Sequence, residues 1–310
     1  MRIITSLDDF YSDRKTVAAL GNFDGVHIGH REILLKAVRT ARRNGMESVC
    51  FTFSTHTREN VSLICTEAEK MELLESLGID TVVNIPFTKT IRDMPAEEFV
   101  HGVLHERLNA AYVCCGFNYH FGAKAVGNPE LLTDLGAQYG MKTVTHDPVY
   151  VGDQIVSSTL VRSLIRQGDM ERASVCLGRN FWCTGTIIRG QHVGTEIGFP
   201  TANILFESYR IAPPNGVYYT IAVLDGVRYP AITNVGVKPT VGTFSKSIET
   251  HIYQMDRELY GHHLKVEFLR MKRPEHKFES LEALKEQIAE DWKTGIEFHK
   301  DHGNFKQDVM

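Results

Sequence analysis

Two histidines, His27 and His30, follow an apolar strand and a glycine-containing turn near the start of the chain. Apolar residues recur at helical spacing directly after them, which places His30 in the first turn of a helix. These residues are Ile33, Leu34, Ala37, Val38 and Ala41. The free N–H groups and the dipole of a helix start favour anions, and imidazoles there can donate hydrogen bonds to a polyphosphate. We therefore predict a phosphate site in which both histidines stabilise the charge that grows during nucleotidyl transfer.

The residues around the pair narrow this interpretation. By itself, a histidine pair could also be half of a metal site or two polar loop residues. The full string Gly-Asn-Phe-Asp-Gly-x-His-x-Gly-His is more restrictive, and it resembles the ATP-binding signature of the HxGH nucleotidyltransferases. No Gly-x-x-x-x-Gly-Lys-Ser/Thr loop occurs in the chain, so a P-loop is not available as the phosphate site. The resemblance implies ATP binding by Gly21, Asn22, Phe23, Asp24, Gly25, His27, Gly29 and His30, with the two histidines in the catalytic role.

The composition is that of a globular protein with more than one domain. The chain has 310 residues, of which 43% are hydrophobic and 23% are charged. The hydrophobic pattern changes near residue 179, from alternating strands and helices to the two-residue alternation of strands. This change predicts a first domain over residues 1–178 and a second over residues 179–310. The formal net charge of −4 supplies no basic field for nucleic acid. We expect small-molecule partners; the sequence specifies no oligomeric state and is compatible with a monomer.

The start of the chain and the cysteines suggest where the protein resides. Residues 1–9 lack the apolar region of a signal peptide, and no apolar run is long enough to span a bilayer. The six cysteines lack Cys-x-x-Cys spacing and mostly stand in apolar runs, which predicts reduced, buried thiols. They are Cys50, Cys65, Cys114, Cys115, Cys176 and Cys183. We expect a cytoplasmic protein without membrane contact.

In the first half of the chain, short apolar strands alternate with amphipathic helices, the pattern of a parallel sheet covered on both faces. Strands are predicted at Val17–Leu20, Val49–Phe53, Thr81–Ile85, Ala111–Cys115 and Thr143–His146. Helix starts are marked by Thr66 with Glu69, by Pro95 and by Asn128-Pro129, and helix ends by Gly45, Gly78 and Gly140. Ligands of such sheets collect at the carboxyl ends of the strands, where the His27 turn lies. The fold class is therefore α/β with a Rossmann-like nucleotidyltransferase domain.

The second half has the two-residue alternation of antiparallel strands. Val217–Leu224 and Val227–Tyr229 flank Asp225-Gly226, a hairpin signal, and further strands are predicted at Phe181–Ile188, Ile248–Gln254 and Leu264–Leu269. Glycine and proline punctuation indicates a small antiparallel β-barrel. Ser280 is a predicted N-cap of a closing helix whose apolar stripe is Leu281, Leu284, Ile288 and Trp292.

A second motif makes the family resemblance specific. The string Gly198-Phe199-Pro200-Thr201-Ala202-Asn203 follows a loop with Gly190 and Gly194, and it looks like the riboflavin kinase signature. Together with the HxGH half, it resembles the prokaryotic bifunctional riboflavin kinase/FMN adenylyltransferase family over nearly the whole chain. Other HxGH enzymes, which act on pantetheine phosphate, nicotinamide mononucleotide or glycerol phosphate, lack the barrel. The resemblance implies an enzyme that phosphorylates riboflavin to FMN in the second domain and adenylylates FMN to FAD in the first.

Further motifs imply site residues for the adenylyl half. Ser157-Ser158-Thr159-Leu160-Val161-Arg162 matches a family element, which assigns Ser158, Thr159 and Arg162 to ATP. Physically, hydroxyl groups there can cap a helix, and the Arg162 guanidinium can hold phosphate oxygens; the alternative is a capped helix with a solvated arginine. Similar matches assign Phe53, His56, Asn118 and Phe121 to the flavin.

For the kinase half, the resemblance assigns Gly190, Gly194, Gly198, Pro200, Thr201 and Asn203 to ATP, and Arg273 and Glu275 to the flavin. It also implies that Thr201 and Asn203 hold Mg²⁺, and that Glu249 is the base for the ribityl hydroxyl. Oxygen ligands suit a hard cation and a carboxylate suits an attacking alcohol. A lone glutamate in an alternating strand would otherwise be a surface residue.

Several positions depart from the family pattern. His192, Val193 and Thr195 change the kinase loop, which predicts a missing phosphate contact, and Ala125 falls near a usual arginine. Thr55 and Thr57 replace two prolines, which predicts looser flavin-side loops. These departures motivate an alternative, a flavin- or nucleotide-binding regulatory protein, or an enzyme with only one active half.

Overall fold

The structure, a computed structural model, describes residues 1–8, 10–55, 57, 61–189, 199–240, 243–255 and 257–304. Contacts between Cα atoms divide the chain into two compact units, Met1–Ser158 and Thr159–Met310. This division lies ahead of the boundary after residue 178 that the change of hydrophobic pattern suggests. No helix within these described ranges is long and apolar enough to cross a membrane. All six cysteines are free and buried, as predicted.

The first unit is built on a six-stranded parallel sheet, which confirms the predicted α/β class. Its strands are β1 (Arg2–Ile4), β2 (Thr16–Leu20), β3 (Glu47–Phe53), β4 (Thr81–Ile85), β5 (Ala110–Gly116) and β6 (Lys142–His146). Their order is β1-β4-β3-β2-β5-β6, and every pair is parallel. The chain winds from β2 to β4 on one side and crosses to β5 on the other. The carboxyl ends of β2 and β5 therefore flank the point where ligands bind in such sheets.

Helices cover this sheet. They are α1 (Ile28–Asn44), α2 (Glu67–Ser76), α3 (Lys89–Arg92), α4 (Ala96–Glu98), a π-helix (Phe99–Arg107) and α5 (Pro129–Gln138); β7 (Tyr150–Val151) and β8 (Gln154–Ile155) then form a short hairpin. The predicted capping box is present, because Thr66 and Glu69 bond each other's backbone N–H groups. Asn128 caps α5 through the N–H of Leu131 at 2.8 Å, and α1 ends at Gly45 in the left-handed conformation. These local signals are confirmed.

The second unit begins with α6 (Ser158–Gln167) and α7 (Met170–Leu177) and continues as an antiparallel sheet. Its strands are β9 (Phe181–Thr186), β10 (Ala202–Leu205), β11 (Gly216–Leu224), β12 (Val227–Thr240), β13 (Thr243–Ile252) and β14 (His263–Pro274), in the order β10-β13-β12-β11-β14-β9. Asp225 and Gly226 have φ of 51° and 77°, which suits the two-residue turn predicted between β11 and β12. The N–H of Ile188 donates to the carbonyl of Asn203 at 2.8 Å, which brings the two ends of the sheet together. The predicted small barrel is confirmed.

The last helix, α8 (Leu281–Asp301), is capped by Ser280 as predicted, but its buried stripe differs from the prediction. Trp292 is 38% exposed, and Leu284 and Ile288 are half-buried. Among the helix residues whose burial is described, the buried ones are Asp291, Gly295 and His299, and the burial of Leu281 lies outside that description. The polar members are buried because each has partners: Asp291 accepts from Arg273, and His299 contacts the carbonyl of Ala231 at 2.9 Å. A prediction based on the spacing of apolar residues misses this buried face, because two of its side chains are polar.

Candidate active sites

The turn between β2 and α1 is held in one shape by its own packing. Phe23 and Val26 have φ of 50° and 39°, a left-handed conformation that such residues rarely adopt. Both side chains are 0% exposed, so their burial offsets the backbone strain. Gly25 also has a left-handed φ of 77°, and a Cβ atom there would lie 2.9 Å from the side chain of Ile64. Packing within the protein therefore fixes the backbone conformation of the turn without a bound ligand.

The structure brings His27 and His30 together at the start of α1. His27 is the N-cap, and its Nδ1 accepts a hydrogen bond from the backbone N–H of His30 at 3.3 Å. The two rings stack with centroids 3.5 Å apart. A neutral imidazole that accepts at Nδ1 carries its proton at Nε2, so His27 is an N–H donor at that atom. Within the described part of the chain, no group of three Asp, Cys, Glu or His residues could hold a metal.

Asp24 supports the turn with its carboxylate. It is 5% exposed, and it accepts hydrogen bonds from the N–H groups of Ile64 at 3.0 Å and Cys65 at 3.4 Å. The Ser158 hydroxyl donates to the backbone carbonyl of Asp24 at 2.9 Å. A buried carboxylate engaged in this way would repel a phosphate. The structure therefore favours a supporting role for the Asp24 side chain over the ATP contact that the resemblance implies.

The other members of the Ser158 motif lie in α6. Arg162 is 7% exposed, so the alternative of a solvated arginine is wrong. Thr159 is exposed and Ser158 is half-buried. A buried guanidinium needs hydrogen-bonding or charged partners, and a phosphate is one class of partner that matches its fork.

The segment after β3, which the resemblance predicts to lie beside the flavin, is attached by hydrogen bonds at Thr55 and Thr57. Asn22 donates to the Thr57 hydroxyl at 2.8 Å, and the Thr55 hydroxyl accepts from the N–H of Phe87 at 2.9 Å. The two threonines that replace prolines thus give the segment attachments that the prediction of looser loops did not foresee. His56 lies outside the described residues.

A buried lysine lies beside this segment. Lys70 is 7% exposed, and its Nζ donates to the carbonyl of Phe53 at 2.7 Å. Burial lowers the pKa of Lys70, while nearby Asp24 and Glu67 act in the opposite direction. Lys70 lines a cleft together with Asn22, Asp24, Phe53, Thr55 and Cys65. Sequence reasoning missed it, because a lysine beside Glu69 at the start of a helix reads as a solvated residue.

The remaining predicted flavin residues of this unit separate into two environments. Asn118 is exposed just beyond the carboxyl end of β5. Phe121 is 6% exposed and packs in the hydrophobic core against Phe99, with ring centroids 5.5 Å apart. The Phe121 ring is therefore a packing residue of the core, and the flavin contact predicted for it stays a prediction.

In the second unit, a histidine holds the segment that precedes β10. Nδ1 of His251 lies 2.9 Å from the carbonyl of Pro200, and since a carbonyl only accepts, Nδ1 carries the proton. The ring also packs edge-on against Phe199, with centroids 5.9 Å apart. Burial lowers the pKa of His251, although the bond to Pro200 opposes this shift. Asn203 donates from Nδ2 to the carbonyl of Thr201 at 3.1 Å, which fixes the other end of the segment.

The register of the barrel places Glu249 in a polar row. Glu249 on β13 pairs with Asn203 on β10 and with Asn234 on β12. Residues that pair directly across antiparallel strands point to the same face, with Cβ atoms about 5 Å apart. The alternate positions Ile248 and Thr250 are 0% exposed and form the barrel interior, so the row lies on the other face. Sequence reasoning identified Asn203 and Glu249 but assigned no role to Asn234.

The row ends at Arg273, whose guanidinium already has a partner. Arg273 lies on β14 across from Val217, and its Nη2 contacts the Asp291 carboxylate at 2.6 Å. Arg273 and Lys272 hold the pKa of Asp291 low, although its burial opposes them. Arg273 therefore anchors α8 to the barrel, and the flavin contact predicted for it stays a prediction. Glu275 is exposed, and it accepts a hydrogen bond from Asn215 at 2.8 Å.

Several kinase predictions cannot be placed. Gly190, Gly194 and Gly198, together with His192, Val193 and Thr195, lie outside the described residues. Pro200 is exposed and Thr201 is half-buried, next to the strand that carries Asn203.

Two protein-family models match consecutive parts of the chain. The model described as FAD synthetase matches residues 10–160, and the model described as riboflavin kinase matches residues 177–298. The two matches cover the parallel-sheet unit and the barrel, respectively.

Curated relatives match over nearly the full length. A bifunctional riboflavin kinase/FMN adenylyltransferase of Pseudomonas fluorescens is 33% identical over 94% of this chain and 96% of its own. The proteins of the same description from Bacillus subtilis and Escherichia coli are each 31% identical, over 92% and 91% of this chain and 92% of their own length. Among solved structures, a Streptococcus pneumoniae protein described as a macrolide-efflux protein superposes with a TM-score of 0.86 at 26% identity, covering 94% of this chain and 97% of its own.

Proposed function

Since the chain belongs to the family of bifunctional riboflavin kinase/FMN adenylyltransferases, we propose that it makes FMN from riboflavin and FAD from FMN, with ATP as the co-substrate of both steps. The observation that carries the kinase step is the pairing of Glu249 with Asn203 across β13 and β10. The observation that carries the adenylyl step is the stacked His27–His30 pair at the start of α1. Each unit thus has its own chemistry.

In the kinase step, Glu249 accepts the proton of the terminal ribityl hydroxyl of riboflavin. The hydroxyl oxygen bonds to the γ-phosphorus of ATP, the bond from that phosphorus to the bridging oxygen breaks, and ADP leaves with the electron pair. His251 positions the Pro200–Thr201 segment through the Pro200 carbonyl. Asn203, across from Glu249, then lies on the phosphate side of the same reacting centre.

Thr201 and Asn203 are the residues that would hold Mg²⁺ in this unit. Their hydroxyl, carbonyl and amide oxygens suit a hard cation that also takes phosphate oxygens. Asn203 directs its Nδ2 toward Thr201, which leaves its amide oxygen facing another direction. When bound, Mg²⁺ supplies charge neutralisation on the ATP phosphates.

In the adenylyl step, the FMN phosphate is itself the nucleophile, so no side-chain base is needed. Its oxygen bonds to the α-phosphorus of ATP, and pyrophosphate leaves with the electron pair. His27 donates from Nε2, and the N-terminus of α1 faces the negative charge that grows on the departing phosphates. The family resemblance adds Arg162, whose guanidinium has the geometry to hold phosphate oxygens.

We assign the adenylyl activity to residues 1–178 and the kinase activity to residues 179–310. A cytoplasmic location is part of the proposal, because ATP is a substrate and none of the six buried cysteines forms a disulfide. The substrates are small molecules, and no nucleic acid is required by either step.

A matched pair of variants tests both assignments in one polypeptide. We expect the parent protein with riboflavin, ATP and Mg²⁺ to accumulate FMN and then FAD, as measured by separating the flavins. Glu249→Gln keeps the side-chain shape but removes the base, so FMN formation should fall at least about a hundredfold, while FAD formation from added FMN persists. His27→Asn keeps an oxygen that can cap α1 but removes the imidazole. In this variant FAD formation from FMN should fall, while FMN formation from riboflavin persists. A parent protein that binds flavin and makes neither product would favour the regulatory alternative.

A further inference from the structure

One residue of the polar row has no role in the steps above. Asn234 lies in the middle of the row, directly across from Glu249 on one side and from Val217 on the other. It is half-buried, and within the described residues its side-chain amide makes no hydrogen bond. Its two donors and its acceptor are not engaged by any group in the described part of the chain, so they are available to a ligand.

The side chain of Asn234 is directed over Gly236. A Cβ atom built on Gly236 would lie 3.5 Å from Nδ2 of Asn234 and 3.6 Å from Oε1 of Glu275. The amide and this carboxylate therefore approach one point on the outer face of the barrel, above Gly236, where no side chain stands between them. Glu249 lies on the strand next to Asn234, about 5 Å away by Cβ separation.

The chemistry of these groups selects the ligand. Glu249 and Glu275 are carboxylates that accept hydrogen bonds, and they repel a polyphosphate. A chain of hydroxyl groups suits them, because each hydroxyl can donate to a carboxylate and accept from an amide N–H. ATP phosphates are therefore disfavoured at this point of the row, whereas a polyol is favoured.

We propose that the Asn234 amide binds the hydroxylated chain of the flavin substrate and so presents its terminal hydroxyl to Glu249. This inference rests on the proposed kinase function. Asn234 is then a residue that makes the kinase specific for substrates with a polyol chain. The ring system of the flavin need not touch this residue.

The test uses the full-length protein and the variant Asn234→Leu, which keeps a similar volume but removes the amide. We expect the KM for riboflavin to rise about tenfold, the effect of one lost hydrogen bond to a ligand, and the KM for ATP to change less than about twofold. FAD formation from FMN in the other unit should stay at the parental rate, and the nearly unchanged KM for ATP in the kinase step controls for misfolding of the barrel. Asn180→Ala is the matched control, because Asn180 is on the barrel but bonds Glu267 instead of facing the row.

A binding arm separates the polyol from the ring. Riboflavin and lumiflavin, which has the same ring system without the hydroxylated chain, are titrated against both proteins by flavin fluorescence. We expect Asn234→Leu to weaken the binding of riboflavin about tenfold and to leave the Kd for lumiflavin unchanged. Equal weakening of the two flavins, a rise in the KM for ATP alone, or no change in either KM would each refute the inference. A parent protein that makes no FMN would refute the kinase proposal, and the binding arm would still decide the role of Asn234.

Discussion

At the scale of single residues, the bond from His251 to the Pro200 carbonyl links β13 to the segment that precedes Asn203. Asn can place an amide N–H where the imidazole has Nδ1, whereas Leu cannot donate at all. We therefore expect His251→Leu to raise the KM for ATP in the kinase step about three- to tenfold, and His251→Asn to recover most of the parental value. Steady-state kinetics at varied ATP concentration measures both variants.

The adenylyl step of the same polypeptide is the control for this pair, and its rate should be unchanged in both variants. If His251→Asn and His251→Leu were equally impaired, His251 would act by filling space, and the hydrogen bond would have no positioning role.

A second residue makes the stability of the barrel unit depend on pH. His299 is 0% exposed, its Nε2 contacts the carbonyl of Ala231 at 2.9 Å, and its Nδ1 contacts the Asn304 amide at 3.1 Å. Burial lowers the pKa of His299 below its ordinary value, and His302 nearby acts in the same direction. The folded state therefore binds the proton less well than the unfolded state does. The contribution is complete above the unfolded pKa of about 6.5 and is lost as the pH falls through the folded pKa.

We expect the free energy of unfolding of the second unit to decrease from pH 7.5 towards pH 5, and to decrease less in His299→Gln. Gln can keep the donor to Ala231 but does not titrate. Trp182 and Trp292 both lie in the second unit and are the two tryptophans of the chain, so denaturant curves followed by tryptophan fluorescence report this unit. Equal slopes against pH in parent and variant would contradict the role of His299; the lowered pKa of His251 adds to both slopes alike.

Residue types and spacing predicted where candidate site residues stand in the fold. They did not predict which of these side chains form contacts with other residues of the protein. The placement of His27 and His30 at a helix start followed from local pattern alone. Asp24, Phe121 and Arg273 match family motifs equally well, yet each is engaged by protein groups distant in sequence. Lys70 and Asn234 were missed for the converse reason, because burial and strand register depend on tertiary pairing.

At the scale of elements, α8 depends on a close approach that one glycine permits. A Cβ atom on Gly295 would overlap the hydroxyl of Tyr253. A Cβ on Gly136 in α5 would instead make ordinary contacts with the Met141 side chain at 3.5 Å and the Thr143 hydroxyl at 3.7 Å. Alanine favours a helix over glycine by up to about 1 kcal/mol. We expect Gly136→Ala to raise the melting temperature of the first unit, and Gly295→Ala to destabilise the second unit by about 1 to 3 kcal/mol.

Calorimetry of the two variants measures both effects. The double variant Gly295→Ala with Tyr253→Phe should recover stability, because the second change removes the overlapping hydroxyl. A stabilising Gly295→Ala would show that α8 shifts freely on the barrel.

The elements themselves were predictable where burial dominates. The five predicted parallel strands are present with ends changed by at most two residues. Four of them, β2 to β5, are interior strands of the sheet, and interior parallel strands are runs rich in apolar residues. The fifth, β6, is an edge strand that was found although its residues are largely exposed or half-buried. The edge strand β1 was missed, because its exposed residues show no such run. The π-helix was also missed: Leu108 donates to Val103 five residues back, and the apolar spacing over Phe99–Leu108 fits an α-helix equally well.

At the scale of the whole molecule, the structure bears on where an independent kinase fragment must begin. The buried face of α7 consists of Met170, Ala173, Cys176 and Leu177, and Glu171 pairs with Arg270 on β14 at 2.7 Å. We expect a fragment of residues 159–310 to fold and make FMN. A fragment of residues 179–310 lacks α7, exposes the face of β9 and β14 that α7 covers, and should be less stable by at least about 3 kcal/mol.

Urea titrations of the two fragments, followed by tryptophan fluorescence, measure this difference. Equal midpoints would show that α7 contributes nothing to the barrel and would support the boundary after residue 178.

The strand order of the barrel also determines when its strands can pair while the chain is being translated. The parallel sheet of the first unit is complete once β6 has been made, so that unit can fold while the rest of the chain is still on the ribosome. β9 must instead wait for its partner β14, which is roughly 80 residues further along and takes on the order of 4 to 16 seconds to translate. During that interval β9 lacks the strand that pairs with it along its length, and among the described strands already made β10 is its native neighbour. A nascent chain that stalls in this window would carry a finished adenylyl half and an open, aggregation-prone kinase half.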